Sequence, residues 1–105
     1  MIIFGLKNCD TCRKALKSLP QAELVDVRLD GIPDSVLTAA LETFGDAVIN
    51  TRSKTWRGLE EHERNLPAID LLRLHPAVMK RPLIATEASL YLGWHRETQQ
   101  ELVVT

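Results

Sequence analysis

Short apolar runs alternate in this chain with stretches whose apolar residues recur every three or four positions. Ile2-Ile3-Phe4 has the length and composition of a buried strand, and Gly5 opens a loop after it. Cys12, Ala15, Leu16 and Leu19 follow at i, i+3, i+4 and i+7, with Arg13, Lys14, Lys17 and Ser18 on the other side. That spacing predicts an amphipathic helix, which Pro20 stops. Leu24, Val25 and Val27 predict a second short strand, ended by Gly31 and Pro33, and the alternation implies a βαβ unit with parallel pairing. Pro33-Asp34-Ser35 opens a helix with Leu37, Ala40, Leu41 and Phe44 on one face and Gly45 as its C-cap. From Asp46 to Leu66 the pattern weakens: Ala47-Val48-Ile49 is apolar, Asn50-Thr51-Arg52-Ser53-Lys54 is polar, and Trp56-Arg57-Gly58 fits no simple period. We expect a functional loop there, flanked by short helical turns. Pro67 begins a helix with Ala68, Leu71, Leu72 and His75 in register, and the His75-Pro76 step ends it. Leu83 to Thr86 and Leu90 to Leu92 predict an antiparallel hairpin around Glu87-Ala88-Ser89, and Glu97 to Val103 a last short helix.

Length and charge narrow the picture. The 105 residues, 45% of them hydrophobic, suffice for one domain with a modest core. Thirteen basic against fourteen acidic residues give a formal charge of −1, so no polybasic footprint for nucleic acid or a membrane is present and any partner is recognised locally. The N-terminal apolar run is interrupted at Gly5 and Lys7, too short for a signal-peptide core, and no window approaches a membrane span. The expectation is a cytoplasmic monomer. In the cytosol thiols are kept reduced, and a dithiol there is more often catalytic or sensing than structural.

Both cysteines lie in Asn8-Cys9-Asp10-Thr11-Cys12-Arg13-Lys14. Cys9 falls in the loop at the helix N-terminus and Cys12 one turn in, on the buried face. Unpaired backbone N–H groups and the positive end of the helix dipole favour a thiolate at Cys9, Arg13 and Lys14 add positive charge, and Asp10 opposes it. A zinc site needs four ligands, and His62, His75 and His95 stand singly with no second pair at ligand spacing, so no metal is expected. A structural disulfide across so short a loop would stabilise little. An inert buried thiol suits Cys12 but not Cys9, which follows the polar Asn8. His75 is expected to be a terminal helix residue, and Trp56 and Trp94 to be packing residues. A strand, a loop and a helix opened by C-x-x-C suit a thioredoxin-like redox site.

Beyond the cysteines, Gly5-Leu6-Lys7-Asn8-Cys9-Asp10-Thr11, Leu29-Asp30-Gly31, Asn50-Thr51-Arg52, Thr55-Trp56-Arg57, Lys80-Arg81-Pro82-Leu83 and Leu92-Gly93-Trp94 occur in that order. In order and spacing they resemble the arsenate reductase (ArsC)/Spx family, and within it the YffB-like branch, over nearly the whole chain. The resemblance implies an α/β fold: a thioredoxin/glutaredoxin-like mixed four-stranded sheet in a single domain, residues 1–105. A helical insertion, roughly residues 34–79, would separate its βαβ and ββα halves. It also implies that Cys9 is the nucleophile and that arginines hold an oxyanion, two of the family's three carrying over onto Arg52 and Arg81. The third position falls near Gly93-Trp94, where this chain has no arginine although Arg96 is close. That departure favours the YffB-like and Spx-like members. Cys12 is a second departure, since Spx has C-x-x-C whereas glutathione-coupled arsenate reductases generally lack it.

The implied function is a thiol–disulfide oxidoreductase, a glutathione-dependent thiol reductase in which Cys9 attacks and Cys12 or glutathione resolves the mixed disulfide. Arg52 and Arg81 would bind carboxylates or a small oxyanion through their planar forks, with Asn8, Thr11 and Pro82 completing the substrate site. Arg81-Pro82 resembles the cis-proline site of thioredoxin-like folds, where the backbone before proline faces the cysteine. No bound cofactor is implied; glutathione is the expected co-substrate, and glutaredoxin is a further candidate partner. Two rivals remain: an arsenate reductase coupled to glutathione or glutaredoxin, and an Spx-like redox-switched regulator that binds the RNA polymerase α subunit.

Overall fold

The N-terminal apolar run becomes an inner strand of a sheet. In the computed structural model, which describes residues 1–103, β1 (Ile2–Gly5) lies second in a four-stranded sheet ordered β2-β1-β3-β4. The final two residues of the expected 1–105 domain lie outside the described residues. β2 (Glu23–Asp26) runs parallel to β1, from Ile2 opposite Glu23 to Gly5 opposite Asp26. β3 (Leu83–Ala85) lies antiparallel on the other side, and β4 (Leu90–Leu92) completes an antiparallel hairpin with it. This is the mixed sheet of the expected α/β, thioredoxin-like fold.

The core explains why these strands come together. Ile3 and Ile84 stand opposite each other and are fully buried, joined by Ala15 and Leu19 near α1 (Asp10–Ser18) and by Leu102 of α7 (Arg96–Leu102). Each large aliphatic side chain so buried contributes roughly 1.5–3 kcal/mol. Tyr91 and Trp94 pack at the rim of this cluster, so Trp94 has the packing role expected of it.

Two strand ends differ from the periodicity reading. Val27 belongs not to β2 but to a helical turn, α2 (Val27–Asp30), because the Asp26 carboxylate accepts the Arg28 N–H at 3.0 Å and so caps that turn. Thr86 falls outside β3 because its hydroxyl accepts N–H bonds from Ala88 and Ser89 in the hairpin turn.

Residues 31–80 form a separate helical unit, inserted in sequence between the two parts of the sheet unit. It contains α3 (Asp34–Phe44), α4 (Lys54–Arg57), α5 (Glu61–Arg64) and α6 (Ala68–Leu74), with 3₁₀ turns at Gly45–Val48 and Pro76–Val78. Leu37 and Ala40 of α3 and Leu71 and Leu72 of α6 are buried. Gly45 closes α3 at φ 60°, a left-handed position that glycine occupies without strain. The weakly patterned stretch folds into two one-turn helices, each with its own start signal. The Ser53 hydroxyl accepts the Trp56 N–H, and Glu60 with Glu63 makes a capping box. His75 ends α6 as expected and also pairs with Glu63. Among the described residues no helix is long and apolar enough to cross a membrane.

Candidate active site

Cys9 is the residue on which α1 begins. Its backbone is extended (φ −91°, ψ 120°), its N–H donates to Leu6 O at 3.1 Å, and its carbonyl accepts the Arg13 N–H at 3.0 Å. The chain therefore turns sharply from β1 into α1, leaving the Cys9 side chain half-buried at the helix N-terminus while Cys12, one turn later, is fully buried. Gly5 makes room for that second thiol: a Cβ at this position would overlap Cys12 Sγ and crowd Cys12 Cβ. The next residue, Leu6, contributes its backbone to both cysteines, accepting from the Cys9 N–H and donating its own N–H to the Cys12 sulfur.

These surroundings drive the two thiols apart. Burial pushes Cys9 up, but the Cys12 main-chain N–H, the Cys12 thiol and the hydrogen-bonding, charged Arg81 guanidinium outweigh it, and Cys9 sits below the ordinary cysteine value. Burial pushes Cys12 up to about 12, and its hydrogen bond with Cys9 and the Cys9 charge raise it too. The Leu6 N–H and Arg81 offset only part of this rise. The order of acidity is the one expected from the chain, but the cation acting on Cys9 is different. Arg13 pairs with Asp10 at 3.0 Å on the exposed side of α1, and the charge at the thiol comes from Arg81.

Arg81 precedes Pro82 through a cis peptide bond, as the resemblance implied. Pro82 is buried and its carbonyl accepts the Gly93 N–H at 2.8 Å, which ties this segment to the end of β4. Asn8 and Thr11 flank Cys9 in the sequence, one in the preceding turn and one in the first turn of α1, and both are exposed. The sheet unit thus holds Asn8, Cys9, Thr11, Cys12, Arg81 and Pro82. Arg52 belongs to the helical unit, where its N–H donates to the Asn50 side-chain oxygen at 3.0 Å. There it borders an open depression of about 410 Å³, with Thr51 and Lys80 also on its wall. Among the described residues, no three His, Cys, Asp or Glu side chains gather as metal ligands would.

Three participants escaped the reading of the chain: Gly5 as a packing requirement, the Leu6 peptide, and Asp26. Asp26 is buried, and its second oxygen accepts the Lys7 N–H at 3.0 Å, so it holds the loop that leads to Cys9. A signal for it was present, since it is a single acidic residue inside the apolar run Leu24-Val25-Asp26-Val27.

An uncharacterised protein of Haemophilus influenzae is 37% identical over 107 residues, covering 93% of this chain and 94% of that protein. The global transcriptional regulator Spx of Bacillus subtilis is 31% identical over 105 residues, covering 90% of this chain and 80% of its own. The solved structure of a YffB protein superposes over 98% of both chains with a TM-score of 0.86 at 25% identity. The family match begins at Phe4, on the strand that leads into the cysteine loop. It ends at Leu102, which packs in the same core as Ile3, and so spans everything that positions Cys9: the chain belongs to the ArsC family.

Proposed function

We propose that this ArsC-family protein is a thiol–disulfide oxidoreductase that works with glutathione. The observation that carries the reading is the opposition of two thiols one helical turn apart, Cys9 lowered beside Arg81 and Cys12 raised to about 12. The thiolate is the nucleophile in exchange, so the lowered, half-exposed thiol attacks first. Cys9 S⁻ attacks one sulfur of a disulfide; the S–S bond breaks, a mixed disulfide forms on Cys9, and the departing thiolate takes up a proton. Cys12, after losing its proton, or a glutathione thiolate then attacks the Cys9 sulfur. The second substrate thiol leaves. Attack by Cys12 gives a Cys9–Cys12 disulfide as the oxidised product; attack by glutathione leaves glutathione on Cys9, and a second glutathione thiolate then removes it as glutathione disulfide and frees the Cys9 thiolate. Arg81 stabilises the Cys9 thiolate.

Intact-mass analysis after a pulse of oxidised glutathione tests this reading. Cys12→Ser should accumulate a mixed disulfide on Cys9, Cys9→Ser should form none, and the wild type should pass through the adduct to the internal disulfide. An adduct on Cys12 in Cys9→Ser, or no reaction in any form, would overturn the roles. Normal resolution in Cys12→Ser would instead assign that step to glutathione and leave Cys12 as a packing residue.

A second reading is supported by the 31% identity to Spx together with the C-x-x-C pair: a redox-switched transcriptional regulator. It predicts a complex with the RNA polymerase α subunit that forms in only one oxidation state of Cys9 and Cys12.

A further inference from the structure

Asp26 is a buried carboxylate to which the disulfide chemistry assigns no step. It stands opposite Gly5 at the last register position of the β1–β2 pair, where the main-chain ladder stops. Beyond that point its side chain continues the connection. Oδ2 accepts the Lys7 N–H and Oδ1 accepts the Arg28 N–H, each at 3.0 Å, and the Leu29 N–H adds a third backbone donor. One carboxylate therefore ties the end of β1 to the helical turn α2.

The segment it holds is the one that touches both cysteines. Gly5 lies against Cys12 Sγ, Leu6 O accepts the Cys9 N–H and the Leu6 N–H donates to Cys12, while Lys7 supplies the N–H that Asp26 accepts. We propose that Asp26 is a positioning residue for the dithiol: by anchoring the Lys7 amide it holds the Leu6 peptide against Cys9 and Cys12 and so sets which thiol is deprotonated first. The proposal deepens the reading of Cys9 as the attacking thiol and rests on it. Asp26 stays ionised because the Lys7 N–H holds its carboxyl below the usual range, against the opposing effect of burial, with the Arg28 and Leu29 amides and the Lys7 charge adding to it.

Anchoring and charge make opposite claims. A carboxylate near a thiolate disfavours it, so if charge alone mattered, removing Asp26 would make Cys9 more acidic. If the anchor matters, losing it lets the Leu6 peptide and the start of α1 drift, and Cys9 becomes less acidic. Two variants separate these effects. Asp26→Ser keeps a hydroxyl able to cap α2 but is too short to reach Lys7 as well, and it removes the charge. Asp26→Glu keeps the charge and moves the carboxylate by one methylene.

The measurement is the rate of iodoacetamide modification of Cys9 against pH, with the modified site assigned by mass spectrometry. No glutathione is present, so the result is independent of whether the protein turns over a disulfide. Both variants should shift the Cys9 midpoint upward and lower its rate at neutral pH by roughly three- to tenfold, about half to one pH unit. Loss of an α2 cap alone would change the melting temperature and leave that profile in place. An unchanged profile in both variants, or a Cys9 that becomes more acidic in Asp26→Ser, would overturn the proposal. Should either variant fail to fold, amide hydrogen exchange in the wild type decides: Lys7 should exchange far more slowly than the exposed Asn8, and equal rates would refute the anchor.

Discussion

The sheet unit and the helical unit of this protein are held by different physics. In the sheet unit, β1 pairs with distant segments, Ile3 opposite both Leu24 and Ile84, and Cys12, Asp26 and the aliphatic cluster around Ile3 are buried. In the helical unit, α4 and α5 are single turns, too short to persist on helix propensity alone. Side-chain contacts at partly exposed positions support this unit: Arg73 with Asp34 and Asp70, His75 with Glu63, and Arg64 donating to the Trp56 and Arg57 carbonyls while lying over the Trp56 ring. The contrast suggests a division of labour. Close fit makes the core around Cys12 intolerant of added volume at any salt concentration, whereas the stability of the helical unit should respond to pH and ionic strength.

The largest expected effect is at Gly5. A Cβ added there would overlap Cys12 Sγ, the thiol is fully buried, and Gly5 is fixed in register with Asp26, so neither side can yield easily. Gly5→Ala should cost about 1–3 kcal/mol in urea unfolding, the range for overpacking a core. Cys12→Ala removes the sulfur that the new methyl would meet. The double variant should therefore recover part of the loss, with a coupling of about 1 kcal/mol. Additive costs would mean that Gly5 serves only the loop, and the contrast between the units would lose its main support.

A smaller, pH-dependent effect is expected in the helical unit. The His75 hydrogen bond, together with the Glu60 backbone and the neighbouring histidine charges, holds the Glu63 carboxyl below its ordinary value in spite of desolvation. Since the folded value is the lower one, the stabilisation is complete above the unfolded carboxylate value, near ~4.3, and is lost as pH falls through the lowered folded value. Glu63→Gln, which preserves a capping-box side chain, should melt below the wild type at neutral pH and match it in strong acid. Asp26 titrates in the same acid range but is present in both proteins, so it cancels in the difference. The cost of Gly5→Ala should stay constant over the same pH range. A constant difference for Glu63→Gln would remove the pair from the electrostatic side of the contrast.

What could be read from the chain follows the range of the interactions involved. The stripe Cys12, Ala15, Leu16, Leu19 and the hairpin around Glu87-Ala88-Ser89 are local patterns, and both appear as expected. The position of Cys9 at a helix start was local too, and the acidity order followed from it. Val27 has the periodicity of a strand residue but turns helical because Asp26 caps the turn at Arg28, and the same carboxylate reaches back to Lys7, a tertiary contact that no periodicity records. α4 and α5 left no period because one turn cannot show one; their traces were the caps at Ser53 and at Glu60 and Glu63. Arg81 beside Cys9 was legible only through resemblance to a family, since nothing in the spacing of residues so far apart brings them together. The sequence marks Gly5 only as a loop opener, and its packing on Cys12 is visible only in the folded chain.

The smallest effect tests the exposed end of the contrast. Arg73 donates through Nε and Nη2 to the two oxygens of Asp34, at 3.0 and 2.9 Å, and through Nη1 to Asp70 at 3.2 Å. The two-pronged geometry is good, but the Arg73 and Asp34 side chains remain 45% and 65% exposed, so water and salt compete for both charges. Asp34→Asn leaves a short polar side chain at the start of α3 and leaves Asp70 to hold Arg73. The melting temperature should fall by a few degrees at most in low salt. In 1 M salt, where the screening length is about 3 Å, the difference should vanish, whereas the cost of Gly5→Ala should persist because overlap of buried atoms is not screened. An Asp34→Asn loss that survives high salt would show that the α3–α6 contact is fixed by hydrogen-bond geometry rather than by charge, and would move this pair to the same side of the contrast as the thiol site.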